Sequence, residues 1–312
     1  MNSISSVRKQ LVENTYAEAF RSIYARILIT ARDSEWLQHV INAVTGHSSS
    51  TIMCDCESGV EQVLEAENTP DGRPGAVIQF HVPRFRKDRV EALERVLLSR
   101  VSQNVLTCPT ARCFNLLESD TYFRLGRKIA YFGDGFESLT SQFGRKMWNI
   151  PIMGGAFQLD RRFGYADGIM GGNLWFMSKT QESAIDAAKK AANAVDAYPD
   201  VITTFPGGVA ASASKAGSKY SFLFASTYET YCPTLRESLG EESGVPEGVK
   251  SIMEIIINGS CLDQVAEATH RAIDAAIGTD GLVRITAGNY DGRLGKSFIY
   301  LRPDLQTEHA AV

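Results

Sequence analysis

The segment Ser251-Ile-Met-Glu-Ile-Ile-Ile-Asn-Gly259 places one carboxylate inside an otherwise apolar, strand-like run. Side chains alternate in extended chain, so Glu254 shares a face with Ile252, Ile256 and Asn258, while Met253, Ile255 and Ile257 point the other way. Both faces are largely apolar, as in a strand covered on both sides. Burial there disfavours the charged form and raises the carboxyl pKa. A raised carboxyl can serve as a general acid near neutral pH. A structural ion pair with an Arg or Lys is the competing reading of the same residue.

A second set of chemistry-bearing residues lies in Phe205-Pro-Gly-Gly-Val-Ala-Ala-Ser-Ala-Ser-Lys-Ala-Gly-Ser-Lys219. Gly207 and Gly208 allow close backbone approach to a ligand. Ser212, Ser214 and Ser218 offer hydroxyls, and Lys215 and Lys219 offer positive charge. The alternative is a flexible surface insertion, although long loops in compact domains are often functional. A phosphate-binding loop of the form G-x-x-x-x-G-K-[ST] is excluded: the order here is Gly217-Ser-Lys219, and Gly295-Lys-Ser297 has Tyr290 where the leading glycine belongs.

Thr69-Pro-Asp-Gly-Arg-Pro-Gly75 is a turn by composition. Asp71 and Arg73 either meet a ligand or pair with each other. Ala287-Gly-Asn-Tyr-Asp-Gly-Arg-Leu-Gly295 is a second such end segment. Arg84, Arg86, Lys87 and Arg89 form a basic cluster, and Arg124, Arg127 and Lys128 another. Such runs are usually solvated faces; as a site they would recognise an acidic ligand tail, because the arginine fork matches a carboxylate. No G-x-S-x-G elbow is present, and no nucleophile stands beside a base. That favours direct transfer, or a non-catalytic role, over a covalent enzyme intermediate.

The elements that must hold these residues repeat. Arg26–Thr30 reads as a strand, Ser34–Val44 as a helix with Gly46 as its stop, and Thr51–Cys54 as the next strand. Further on, Asn173–Met177, an alanine-rich helix carrying Ala184, Ala188, Ala191 and Val195, and Val201–Phe205 follow the same order. The second units match as well: strand Ala76–Val82, a helix with Val90, Leu93, Leu97 and Val101, and strand Val105–Cys108, against strand Ile252–Ile257, a helix from Leu262 to Ala276, and strand Leu282–Thr286. Each half is thus β-α-β then β-α-β, the split ferredoxin-like arrangement. The expected class is α+β, two similar ferredoxin-like lobes, each a mainly antiparallel sheet flanked by helices. The lobes are expected at residues 1–149 and 150–312, the second with an inserted loop around 207–244. The connection from Phe132 to Gly172, rich in Gly and aromatics, is expected to be less regular.

Composition is ordinary: 312 residues, 44% hydrophobic and 22% charged, with formal net charge -4. Nothing in it favours nucleic acid or an anionic membrane as partner. No run approaches the ~18 apolar residues of a membrane span, and Met1–Asn14 has no apolar signal core, so a cytoplasmic protein is expected. Cys54, Cys56, Cys108, Cys113, Cys232 and Cys261 are scattered through a chain too large to need disulfides. Cys54-Asp-Cys56 with His47 lacks the spacing and ligand number of a zinc site, so no metal is expected.

Taken together, several ordered segments resemble the formylmethanofuran:tetrahydromethanopterin formyltransferase family. They are Asn14-Thr-Tyr-Ala-Glu-Ala-Phe20, Arg26-Ile-Leu-Ile-Thr-Ala31, Thr69–Gly75, Phe132-Gly-Asp-Gly135, Phe205–Gly208, Ala211–Lys215, Tyr231-Cys-Pro-Thr234, Glu254–Gly259 and Ala287-Gly-Asn289. The resemblance implies formyl transfer between the amine of a methanofuran-type carrier and N5 of tetrahydromethanopterin. The two carriers would be substrates, with no permanently bound cofactor, and the chain would assemble as an oligomer, typically a tetramer. The family's catalytic glutamate falls on Glu254. Asp71, Arg73, Gly207, Gly208, Ser212, Ser214, Lys215, Asn258 and Asn289 are the substrate-binding candidates. Arg84, Arg86 and Lys87 would grip an acidic carrier tail.

The chain departs from the archaeal pattern. Cys54-Asp-Cys-Glu57 stands where Cys-Pro-Ala-Glu is usual, and Arg293 where Lys is more usual. Together with the basic stretch Phe80–Arg100, this resembles a bacterial member working in one-carbon metabolism within a formyltransferase/hydrolase complex. The expected mechanism is direct acyl transfer in a ternary complex. Glu254 would protonate the departing amine, and backbone N–H groups of Gly207 and Gly208, or Asn258, would serve the oxyanion. The competing class is a non-catalytic docking subunit of such a complex.

Overall fold

A computed structural model of the chain describes residues 10–303. It divides into two compact units, Arg21–Gly168, and Met1–Phe20 with Ile169–Val312.

The first unit contains β1 (Tyr16–Thr30, from Arg21 onward), α1 (Ser34–Thr45), β2 (Glu57–Leu64), β3 (Gly75–Pro83), α2 (Arg89–Arg100) and β4 (Arg112–Asn115). Its strands pair in the order β4-β1-β3-β2, every pair antiparallel. This is the expected β-α-β-β-α-β arrangement. Helix α1 starts where Asp33 accepts the Trp36 N–H at 3.0 Å, satisfying an N-terminal donor. It turns Leu37, Val40, Ile41 and Val44 into the core.

Two short strands expected here are turns. Thr51–Cys54 is a turn with Ile52 and Met53 exposed at 44% and 76%, and the polar segment Glu57–Leu64 is the strand instead. Val105–Cys108 closes a π-helical turn, Val101–Val105, that continues α2. Val101 and Val105 are both buried one turn apart, so packing of a helical face overrode their β-branched preference.

The region expected to be irregular holds a three-stranded meander: β5 (Ser138–Gln142), β6 (Arg145–Ile152) and β7 (Gly155–Asp160). Strand β7 runs parallel to β4. Gly144, with φ 70, supplies the left-handed turn between β5 and β6.

The second unit contains β8 (Ala166–Ser178, from Ile169 onward), α3 (Gln181–Asp196), β9 (Val201–Thr203), a hairpin of β10 (Ser214–Ala216) and β11 (Ala225–Thr227), β12 (Ser251–Gly259), α4 (Leu262–Ala276), β13 (Leu282–Thr286) and β14 (Ser297–Tyr300). Its order β13-β8-β12-β9 repeats that of the first unit. β14 pairs with Tyr16–Ala19 at the start of β1, which draws the first residues of that strand into this unit. By contacts the two units divide at 20/21 and 168/169, because β6 and β7 remain with β4.

The chain between β9 and β12, which includes the expected insertion, is folded. One face of the sheet packs Leu174, Phe176, Ile255 and Ile257 against the alanines of α3 and α4. The other packs Trp175, Met177 and Ile252 against Tyr228 and Tyr231 of the insertion and Val245 and Val249 just after it. β12 is thus covered on both sides. Strand β8 contains a bulge between Ile169 and Gly172. There Gly171 has φ 93, and its N–H is held by Asn258 Oδ1 at 2.9 Å.

Among the described residues no helix is long and apolar enough to cross a membrane, and no group of three or more His, Cys, Asp or Glu side chains could hold a metal ion.

Candidate active site

Glu254 sits in the middle of β12, 7% exposed. Its main-chain N–H and C=O both bond to Ala210 at 2.8 Å, so the insertion is stitched to the strand at this residue. On β8, Trp175 is its direct cross-strand partner. Asn173 lies two residues earlier and therefore on the same face. Both donate to one oxygen: Asn173 Nδ2 to Oε1 at 2.9 Å and Trp175 Nε1 to Oε1 at 2.8 Å. Desolvation by burial raises the Glu254 pKa above its usual value of 4.5, and the two hydrogen bonds only partly oppose it. Among the described residues no Arg or Lys is paired with it, which argues against the structural ion pair.

The donor arrangement fixes where a proton would sit. Oε1 accepts two N–H groups and behaves as the carbonyl-type oxygen, so the acid proton belongs on Oε2. Glu254 lines a cavity of about 180 Å³ together with Ser212, Thr227 and Cys232. A larger cavity of about 640 Å³ is lined by Lys215, Asn289, Tyr290 and Arg293. Trp175, Tyr228 and Tyr231 line both and separate them. These three rings meet edge to face, with centroids 4.8–5.5 Å apart.

The structure gathers some of the sequence candidates and assigns others elsewhere. Ser212 reaches the smaller cavity, and Lys215 and Asn289 the larger. The Lys215 ammonium is paired with Glu229. Asn289 Nδ2 donates to Thr15 Oγ1 at 2.9 Å. The carbonyl of Ser214 accepts the Tyr290 hydroxyl at 2.5 Å. The Gly208 N–H is given to the Phe205 carbonyl at 2.7 Å. A Cβ at Gly208 would lie 2.7 Å from Thr203 Oγ1 and 2.9 Å from Ala192 Cβ, so this glycine serves close packing; around Gly207 the space is open. Asn258 is fully buried and lines neither cavity, its Oδ1 being committed to the bulge at Gly171.

Asp71 and Arg73 lie in the first unit and pair with each other at 2.8 Å. Asp71 Oδ2 also accepts from Thr30 Oγ1 and Arg112 Nη1, and Arg73 Nη1 donates to the Thr110 carbonyl at 2.6 Å. Burial opposes the Asp71 charge, but these donors win and lower its pKa. In the basic cluster Arg84 and Arg21 hold Asp167, and Arg86 holds Asp88 at 2.9 Å. Acidic side chains of the same unit thus meet the arginines, leaving Lys87 as the exposed cation of the three tail candidates.

Asn173, Trp175, Tyr228, Tyr231 and Tyr290 were not foreseen as site residues. Trp175 was within reach of the sequence, since pairing the first strand of the lobe with its third sets it beside Glu254. Tyr228 and Tyr231 were not, because the path of the insertion has no periodic signature.

Known proteins place this arrangement. The model of the formylmethanofuran-tetrahydromethanopterin formyltransferase family matches residues 6–152, and the model of the proximal lobe of the same family matches residues 155–303. A formylmethanofuran–tetrahydromethanopterin formyltransferase of Archaeoglobus fulgidus is 46% identical over 93% of this chain and 96% of its own. That of Methanocaldococcus jannaschii is 43% identical over the same shares. Among solved structures, the Methanosarcina barkeri enzyme superposes with a TM-score of 0.88 at 40% identity, covering 94% of this chain and 97% of that one. A chain of the formyltransferase/hydrolase complex of Methylorubrum extorquens, solved with methylofuran, gives 0.86 at 36% identity, covering 93% and 95%. With both lobes matched in order and the buried acid in the second of them, the chain belongs to the formylmethanofuran–tetrahydromethanopterin formyltransferase family.

Proposed function

We propose that this chain is a formyltransferase that moves a formyl group between N5 of tetrahydromethanopterin and the amine of a methanofuran-type carrier, by direct transfer with both carriers bound. The observation that carries this reading is the buried carboxyl of Glu254, which lines a cavity, is held by Asn173 and Trp175, and has no cationic partner among the described residues, so that burial raises its pKa. The attacking amine adds to the formyl carbon and becomes an ammonium in the tetrahedral adduct. Glu254 Oε2 gives its proton to the departing nitrogen as the C–N bond breaks, and takes one from the new ammonium, so the carboxyl is restored. A neutral acid is needed because an amide-type nitrogen leaves poorly as an anion. Holding both carriers in line supplies much of the remaining acceleration.

The two cavities, on either side of the Trp175–Tyr228–Tyr231 wall, are where the reacting carriers are bound, with Ser212 on the Glu254 side and Lys215 and Asn289 on the other. Asp71 and Arg73 enter this reading as the residues that brace the 69–75 turn. The likeness to the Methylorubrum complex supports work beside hydrolase subunits, in the direction from formyl-tetrahydromethanopterin toward formate. Light scattering of the chain alone and with those subunits separates such a hetero-assembly from a homotetramer.

The experiment is to mix the purified chain with 5-formyl-tetrahydromethanopterin and a methanofuran-type amine and follow both carriers by mass spectrometry. Formyl transfer that requires both carriers supports the reading. A folded chain that binds hydrolase subunits but transfers nothing, alone or in the complex, makes it a docking subunit.

A further inference from the structure

Glu18 is a charged residue that the transfer chemistry leaves unexplained. It lies near the start of β1, in the same unit as the cavities, and is 4% exposed. Among the described residues no Lys or Arg pairs with it. Instead its carboxylate collects four backbone N–H groups from one turn. Oε1 accepts from Tyr290 at 2.5 Å and Gly292 at 2.8 Å, and Oε2 from Leu294 at 3.1 Å and Gly295 at 2.7 Å. Burial opposes its charge, but the four N–H groups outweigh it, so the group is ionised. Gly295 lets the turn come close enough, since a Cβ there would lie 2.6 Å from the Ala19 carbonyl.

The turn that Glu18 holds is a wall of the larger cavity, to which Tyr290, Asp291, Arg293 and Leu294 all contribute. From it the Tyr290 hydroxyl reaches the Ser214 carbonyl at 2.5 Å, on the strand that carries Lys215. The Tyr290 ring stacks at 6.2 Å on Tyr228, which in turn meets Trp175. One buried carboxylate therefore fixes a turn, the turn fixes Tyr290, and Tyr290 fixes the hairpin on the opposite wall.

We propose that Glu18 is a positioning residue for carrier binding: by gathering the 290–295 turn onto β1 it sets, through Tyr290, the spacing between the two walls of the larger cavity. It does not touch the reacting atoms, and its removal costs affinity rather than the chemical step. The inference rests on the transferase reading above.

The test uses Glu18→Gln in the full chain. Glutamine keeps the shape but turns an N–H₂ toward two backbone donors. Expected are a KM for one carrier raised by about 10-fold and a kcat changed by less than about 3-fold, the pattern of lost ground-state binding. Hydrogen exchange at the amides of Tyr290, Gly292, Leu294 and Gly295 should quicken in the same variant without any carrier present. Tyr290→Phe, which leaves Glu18 intact, should raise the same KM, and the double variant should fall short of the product of the two effects. If Glu18→Gln does not fold, Glu18→Asp, which keeps the charge on a shorter arm and pulls the turn out of place, is read by the same KM, kcat and exchange measurements and decides. An active wild type whose Glu18→Gln has unchanged KM, or whose two variants multiply, overturns the inference. A wild type that transfers no formyl group overturns the transferase reading instead, whatever the exchange rates show.

Discussion

Trp175 and Glu254 face one another across neighbouring antiparallel strands, and the indole N–H is given to one carboxyl oxygen at 2.8 Å. The pairing turns a sheet position into an oriented acid, because the proton is left on the oxygen that takes neither N–H.

Glu254→Gln keeps the shape and both N–H contacts with the side-chain carbonyl, but it has no proton to give. Carrier affinity should persist while kcat falls by roughly 100-fold or more. Steady-state kinetics with each carrier varied in turn would show it, and a variant retaining nearly full kcat would remove Glu254 from the mechanism.

The pH profile should carry the same signature. Because the Glu254 pKa is raised, the folded chain keeps this proton at pH values where the unfolded chain has lost it. Its contribution to stability is complete below the unfolded value of 4.5 and is lost as pH rises through the folded value. As a general acid it should likewise give kcat an alkaline limb. Trp175→Phe removes an N–H that favours the carboxylate, so that limb should move to higher pH. A limb that stays in place would assign it to another group.

Gly288 has its own steric test. A Cβ there would lie 2.6 Å from Trp175 Cζ2 and 2.9 Å from Asn173 Nδ2, the two donors to Glu254. Gly288→Ala should displace Trp175, destabilise the unit by about 1–3 kcal/mol as an overpacked core position, and lower kcat. Denaturant titration beside kinetics would separate the two effects, and unchanged values of both would show that the wall yields.

In the first unit, Gln79 Nε2 donates to Glu61 Oε2 at 2.8 Å, so Gln79 Oε1 faces His81 and accepts from its Nε2–H at 2.8 Å. Nδ1 is then the acceptor for the Ser22 hydroxyl at 3.0 Å. Burial drives the His81 pKa down from 6.5 to about 3. Stability from the neutral ring is therefore full above 6.5 and is lost as pH falls toward 3. His81→Gln should start about 1–3 kcal/mol less stable at neutral pH yet lack that part of the acid decline. Parallel stability curves for the two proteins would contradict a buried neutral imidazole.

The lobes were legible in the sequence because their helices carry strong apolar faces and their central strands are long. The weak points were short segments where composition and burial disagree. Ile52 and Met53 look like strand residues yet face outward, whereas the polar segment Glu57–Leu64 forms the strand. Glu254 could be found alone, as a carboxylate in an apolar run. The arrangement of its donors needed the strand register, because Asn173 and Trp175 reach it across the sheet, and Tyr228 and Tyr231 reach the cavities through an insertion that follows no period.

The bulge in β8 acts as a phase shift. Ile169 and Leu174 both belong to the core on the helix side although they are five positions apart, an odd offset that an unbroken strand forbids. Deleting one residue at Gly171 would put the strand back into a single frame. Either Ile169 or the whole run from Leu174 to Met177 would then have to swap sides. If the run moved, Trp175 would turn into the alanine layer and Leu174 toward Glu254. The acid would keep its place in the chain and lose the environment that makes it one. A single-residue deletion here should therefore be far more damaging than any one substitution on the same strand.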